Sequence, residues 1–160
     1  YSESYAVETY TDGGNFTEGT LGKINSMNPL FATTFSEEAL SRLMFARLAE
    51  VDYSGHTGAG LAETITSNTT GDEWTVRLRQ NLKWSDGDDL TTDDVLYTVN
   101  TIKSASLKSN FSNKLNGVTV RQSEDGSLVF KLENTNAFFE SNLNFPPSPY
   151  PERREARAIE

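Results

Sequence analysis

Apolar residues recur at every second position over Trp74, Val76 and Leu78, with Thr75, Arg77 and Arg79 between them. A period of two places one face of a strand in a core and the other in water. The pattern returns at Val118 and Val120, alternating with Thr119 and Arg121, and at Leu128, Phe130 and Leu132, alternating with Val129, Lys131 and Glu133. Glu124-Asp125-Gly126 between them supplies a hairpin turn. Strands are therefore predicted near 73–79, 118–122 and 127–133. Leu82 and Trp84 extend the first alternation around Lys83, and Ser85 to Asp88 forms a turn in which Gly87 can take positive φ. As apolar members of alternating runs, Trp74 and Trp84 are both expected to be buried.

The period then changes to that of a helix. Thr91 or Thr92 stands as N-cap, Asp93 and Asp94 fall in the first turn, and Thr91 to Asp94 has capping-box spacing. Val95, Leu96, Val99 and Ile102 form the apolar stripe, which predicts a helix over 92–103. A second helix is predicted near 37–48, with Ser36 as N-cap, Glu37 and Glu38 in the first turn, and Ala39, Leu40, Leu43, Met44, Ala46 and Leu48 at helical spacing. Asn136 is placed to cap a short helix, Ala137 to Leu143. Thr17 to Ile24 reads as a strand and Asn25 to Phe31 as an extended turn, because Pro29 disfavours the α region for Asn28. The stretch 104–116 is polar, with Phe111 and Leu115 as its only large anchors, and is expected outside the core. Pro146, Pro147, Pro149 and Pro151 end regular structure. The fold class these elements predict is α/β in the α+β sense, a mainly antiparallel sheet covered by helices.

Composition narrows the functions available. The chain has 160 residues, 36% hydrophobic and 11% aromatic, a globular composition large enough for one core. A formal net charge of −9, from 23 acidic against 14 basic residues, argues against nucleic acid and anionic membrane surfaces as partners. With no Cys there is neither a disulfide framework nor a thiolate nucleophile within these residues. No stretch approaches the roughly 18 consecutive apolar residues of a membrane span.

Five carboxylates, Asp86, Asp88, Asp89, Asp93 and Asp94, crowd one region. An EF-hand loop needs Gly at its sixth position and Glu at its twelfth, whereas Gly87 directly follows the first Asp. Turn and cap duties account for these residues, so no metal is predicted. His56, the only histidine, sits in Gly55-His56-Thr57-Gly58, a turn setting. No nucleophile elbow, P-loop or dinucleotide fingerprint lies between a strand and a helix. A small hydrolase using His56 is thus a minor reading. A stand-alone acidic interaction module presenting Tyr53, Tyr97 and Phe111 is another. The sequons at Asn15, Asn68 and Asn110 are expected by chance in a chain rich in Asn, Ser and Thr.

The run from Trp74 to Val99 resembles the extracytoplasmic solute-binding proteins of the peptide and nickel type, which carry a tract of the form W-T-F-x-L-R-x-x-V-K-W-S-D-G-x-x-x-T-A-D-D-V-x-x-T. Three further passages are similar to that family. The turn at Asn28-Pro29 matches its N-P turn. Leu48 to Gly55 with Gly60 to Ile65 matches L-x-x-x-D-x-x-G-x-x-x-P-x-L-A-E-x-W, with Ile65 where Trp is usual. The passage through Asn136, Ala137 and Phe139 matches L-x-x-x-N-A-x-F.

The resemblance implies the N-terminal part of a bilobed periplasmic-binding-protein type II fold, a non-enzymatic receptor that delivers a peptide or other small solute to the permease of an ABC importer. It implies residues 1–35 as the lead-in and first strand of one lobe, 36–145 as a small α/β subdomain, and 146–160 as a Pro-rich, charged tail. It implies no cofactor, an extracytoplasmic location, and membrane contact only through a lipid anchor outside these residues. It places solute contacts at Thr33, Thr34 and Phe35, and at Phe111. The residues alone offer a structural role for each aromatic: Phe35 as a staple before a helix cap, Phe111 as a loop anchor.

Overall fold

The alternating runs form one antiparallel sheet. In chain order the strands are β1 (Glu50–Val51), β2 (Thr57–Gly58), β3 (Ala62–Ser67), β4 (Glu73–Leu78), β5 (Val118–Gln122) and β6 (Leu128–Leu132); β1 and β2 pair separately, and the main sheet runs β3-β4-β6-β5. The helices are α1 (Phe35–Met44) and α2 (Thr92–Lys103), with single 3-10 turns at Pro29–Phe31, Ser112–Leu115 and Phe139–Leu143. The computed structural model describes residues 23–51, 57–58 and 60–150, together with residues 17, 19 and 54. The lead-in at 1–15, Tyr53, His56 and the tail at 152–160 lie outside the described residues.

Register explains the core. Trp74 pairs with Phe130 and Phe130 with Val120, so three strands contribute one row to the inner face. Phe139 closes over that row, its ring 6.1 Å from Trp74 and 5.9 Å from Phe130. From α2, Val95, Val99 and Ile102 enter the same cluster fully buried, joined by Leu30, Leu48, Leu115, Leu143 and Phe145. The predicted helix 92–103 is found at those bounds, and Asp94 supplies its half of the capping box by accepting from the Thr91 N–H at 2.8 Å. The strands fall within about a residue of their predicted limits.

Several expectations are corrected. α1 begins at Phe35 rather than after Ser36, because Thr34 is the N-cap: its hydroxyl accepts from the Glu37 N–H at 3.2 Å and its own N–H donates to the Glu37 carboxylate at 3.1 Å. α1 also stops at Met44, since residues 47–49 leave the helix to bridge two other segments. Leu48 and Ala49 donate to the carbonyls of Phe145 and Leu143, each at 3.0 Å, while Leu61 and Ala62 donate to those of Arg47 and Leu48, each at 2.9 Å. Gly60 makes this approach possible: a Cβ there would lie 2.6 Å from the Arg47 carbonyl oxygen and 2.8 Å from that of Leu48. Of the strand expected at 17–24, the described residues 17, 19, 23 and 24 carry no strand. The short helix at 137–143 is a 3-10 turn over Phe139–Leu143.

Burial differs too. Trp74 is buried, but Trp84 is only half-buried, its indole N–H reaching Asp94 Oδ2 at 3.4 Å, because Leu82 and Trp84 lie in a turn and not in the sheet. The stretch 104–116, expected outside the core, is seated in it by its two anchors: Phe111 and Leu115 are 5% and 0% exposed. The proline segment has no regular structure, yet it is strapped to α2. Ser148 N–H donates to Thr98 Oγ1 at 2.7 Å and Tyr150 N–H to Asp94 Oδ1 at 2.9 Å, with the Tyr150 ring edge-on to Tyr97 at 5.4 Å.

Candidate functional site

Asn28 opens the region. Its side chain accepts from the Leu30 N–H at 3.0 Å and its carbonyl from the Phe31 N–H at 3.1 Å, which closes a tight turn around Pro29. Leu30 is 1% exposed and pins the turn to the core. Its carbonyl accepts from Ser109 Oγ at 2.8 Å and Asn110 N–H at 3.2 Å. The loop that carries Phe111 is thereby tied to the loop that carries Thr33 to Phe35. The two regions marked as solute contacts by the resemblance, some 75 positions apart in sequence, are held together through one carbonyl.

Within the first loop the organising group is Glu37. One carboxylate oxygen accepts from the N–H of Asn25 at 2.7 Å and of Ser26 at 3.1 Å; the other accepts from the N–H of Thr33 at 2.7 Å, the N–H of Thr34 at 3.1 Å and the Thr33 hydroxyl at 3.1 Å. Both arms of the loop are clamped to one buried side chain. The Thr33 N–H, then that of Asn25, with smaller help from Ser26 and Thr34, hold this carboxyl at about 2, well below its ordinary 4.5, although burial opposes them.

The outcome at the surface is uneven. Thr33 is exposed and Thr34 half-buried, while Phe35, the first residue of α1, is 89% exposed. Phe35 does not staple to its helix. Its ring projects away from the protein, and Leu43, Met44 and Met27 are exposed as well. The polar face of α1, Ser36, Glu37 and Ser41, is the buried one.

Phe111 is placed differently. Its ring lies 6.5 Å from Phe145, with the Arg47 guanidinium 6.0 Å and the Lys114 ammonium 5.4 Å from its centroid. Arg47 donates to the Asn144 carbonyl at 2.7 Å and to Glu38 at 3.1 Å, and Lys114 donates to Asn144 Oδ1 at 2.7 Å. Burial pushes the pKa of Arg47 and of Lys114 down; the nearby Arg47 and Arg42 charges add to the effect on Lys114, and Glu38 opposes it at both. The Phe111 side chain is therefore occupied by the protein itself.

Residues 33–35 form an edge and not a pocket. Clefts of about 310 and 480 Å³ occur elsewhere, the first lined by Lys114, Glu133, Asn136 and Asn142, the second by Lys103, Lys108 and Ser112. Among the described residues no three His, Cys, Asp or Glu side chains come together as a metal group. Asp94 serves α2, and Asp89 pairs with Lys83 at 2.6 Å. No helix of the described residues is long and apolar enough to cross a membrane. The residue that sequence reading missed is Glu37, taken only as a first-turn carboxylate; Thr34-x-x-Glu37 was the available signal, hidden by the equally good cap at Ser36.

Comparison with known proteins gives the chain a family and a fold. The family described as bacterial extracellular solute-binding proteins, family 5 Middle, matches residues 57–159. The oligopeptide-binding protein AppA of Bacillus subtilis is 25% identical over 131 residues, 81% of this chain and 24% of that protein. The periplasmic oligopeptide-binding protein OppA of Escherichia coli is 34% identical over 76 residues, 48% of this chain and 14% of that protein. The solved structure of Bacillus subtilis AppA in complex with a nonapeptide superposes with a TM-score of 0.74 at 22% identity, over 85% of this chain and 27% of that one, which establishes a shared fold. The chain thus spans about a quarter or less of the length of these relatives. It belongs to the family 5 bacterial extracellular solute-binding proteins.

Proposed function

We propose that these residues are the N-terminal portion of an extracytoplasmic receptor that binds peptides for an ABC importer, and that Thr33, Thr34 and Phe35 form one side of its solute site. The observation that carries the reading is the clamped, outward-facing edge at 33–35: a backbone held rigid from beneath by Glu37, with an aromatic ring left in water at its end. Exposing Phe35 costs free energy unless something covers it in the working protein. An extended peptide paired along a fixed main-chain edge is a recurrent way of doing so.

Phe111 has a supporting part in this reading. Packed against Phe145, it holds the 109–111 loop on the Leu30 carbonyl and so fixes the far side of the edge. Residues 146–150 are strapped along α2 by Ser148 and Tyr150. The permease of the importer is the protein partner this role requires, and an extracytoplasmic location follows from the same role.

A one-sided site leaves most of a ligand's surface in water, so the 160 residues alone should bind weakly. Calorimetric titration with mixed di- to pentapeptides is expected to give no saturable heat at micromolar concentration for this chain, and saturable binding for the product of its complete gene. Tight binding or cleavage of a peptide by the 160-residue chain, or no peptide binding by the complete product, overturns the proposal.

A further inference from the structure

Four main-chain N–H groups, from Asn25, Ser26, Thr33 and Thr34, converge on the Glu37 carboxylate beside the first turn of α1. Empty of that carboxylate, such a convergence next to a helix N-terminus has the geometry that captures anions. Here the chain fills the place with a charge of its own. We infer that Glu37 is a specificity-determining residue: by occupying this nest it makes the Thr33–Phe35 edge take the N–H and ammonium groups of a solute and turn away carboxylates. The inference rests on the proposal that residues 33–35 face the solute.

The donors available to a ligand are few for a definite reason. The N–H groups of Thr33 and Thr34 and the hydroxyl proton of Thr33 are all spent on Glu37. The Glu37 N–H is spent on the Thr34 hydroxyl, and the Glu38 N–H on the Thr34 carbonyl. Thr33 is exposed with both its donors turned to Glu37, so what its side chain offers a solute is a hydroxyl oxygen and not a proton. The N–H of Phe35 remains at the helix start, but the positive end of the helix dipole that would draw an anion there is already compensated by a full negative charge in the first turn. A solute carboxylate brought to Thr33 meets this charge through one residue's breadth of protein, whereas an ammonium or a peptide N–H finds acceptors backed by it. The chain's net charge of −9 reinforces the preference without localising it; Glu37 localises it.

The test uses the 160-residue chain and two small probes of opposite end charge. Trialanine amide carries an ammonium and no carboxylate; N-acetyl-trialanine carries a carboxylate and no ammonium. Amide NMR spectra are recorded while each is added to millimolar levels, for the wild type and for Glu37→Gln and Glu37→Ala. The wild-type amides of residues 33–35 are expected to shift with trialanine amide and to respond at least about tenfold more weakly to N-acetyl-trialanine, a difference of about 1.4 kcal/mol. In Glu37→Ala the order should reverse, and added acetate should shift the freed amides of Thr33 and Thr34. Glu37→Gln, which keeps one acceptor oxygen and the size of the side chain, should lose the discrimination while the sheet amides of Val76 and Phe130 stay in place.

If both probes shift wild-type residues 33–35 equally, or if the preference survives in Glu37→Gln, the inference is overturned and the solute edge stands. If neither probe shifts them at any concentration, the solute edge itself is wrong and the inference falls with it. The wild-type comparison decides the matter even if Glu37→Ala fails to fold.

Discussion

The two helices of this molecule begin alike and end in opposite situations. Each opens on a Thr-x-x-acid capping motif, each has two acidic residues in its first turn, and each carries an apolar stripe. In α2 the stripe faces inward, with Val95, Val99 and Ile102 fully buried against the sheet. In α1 the stripe faces outward, with Phe35 89% and Leu43 76% exposed, while Ser36, Glu37 and Ser41 are buried. Local sequence rules set where a helix starts; they do not set which face is covered. α2 is oriented by apolar burial. α1 is oriented by polar contacts, the Glu37 clamp on one side and the Glu38 to Arg47 ion pair at 3.1 Å on the other, with Arg47 itself 2% exposed. A helix held by its polar contacts leaves large apolar side chains, Phe35 and Leu43, exposed where a partner could cover them.

The largest expected effect breaks the α2 half. Trp74→Ala removes a 4% exposed indole that packs on Phe139 and lies in register with Phe130. Its cost should be about 3–5 kcal/mol in a denaturant melt, the range for a large aromatic leaving a core. A cost below about 1 kcal/mol would mean that the row Trp74–Phe130–Val120 is not the centre of the core. Trp74→Phe should cost much less, because the indole N–H is buried without a hydrogen-bond partner among the described residues and its removal relieves an unpaired donor.

A smaller effect separates the halves by pH. Glu37 titrates at about 2 in the folded chain against an ordinary 4.5. Its contribution is therefore complete above pH 4.5, declines as the pH falls from 4.5, and is gone below about 2. Protection factors for hydrogen exchange at the amides of Asn25, Ser26, Thr33 and Thr34 should fall over that window while those of α2 hold. Glu37→Gln should abolish the step. Simultaneous loss of protection in both halves would show that the clamp is not a local device. The hairpin around Asp72 adds an acid-sensitive contact of its own, since Lys131 of β6 holds that carboxyl well below the usual range, so β4 and β6 are poorer references than α2.

How much of this was legible in the sequence follows from the same contrast. Strands β4, β5 and β6 and helix α2 satisfy local pattern and global burial at once, and alternation and capping located them to within about a residue. β3 was not read as a strand because its inward residues, Ala62 and Ile65, straddle a register shift that breaks the period of two. α1 was given the wrong cap because Thr34 and Ser36 both suit the role, and only the side chain of Glu37, bent back onto Thr34, chooses between them. The stretch 104–116 reads as lying outside the core because its polar residues dilute the signal, although its anchors Phe111 and Leu115 are enough to seat it. The edge at 33–35 was visible only through family resemblance. The carboxylate beneath it depends on bonds to residues 11 and 12 positions upstream, which no periodicity reveals.

The smallest effect sharpens the comparison most. Leu43→Lys places a charge on the apolar stripe of α1 near its C-terminal end, a change that in the interior of α2 would be ruinous. At 76% exposure the Leu43 side chain has little apolar area removed from water, and Lys is as good a helix former as Leu. The stability of the 160-residue chain should therefore change by no more than about 0.5 kcal/mol, the usual limit for a surface substitution. Val99→Lys, on the apolar stripe of α2, should prevent folding altogether, because it buries a charge with no partner. If Leu43→Lys costs more than about 1 kcal/mol, the stripe is already covered within these 160 residues, and the contrast between the helices disappears. If it costs nothing here yet destabilises the complete gene product, the stripe is an internal interface of the larger protein, and polar anchoring of α1 is what keeps that face available until the rest of the fold arrives.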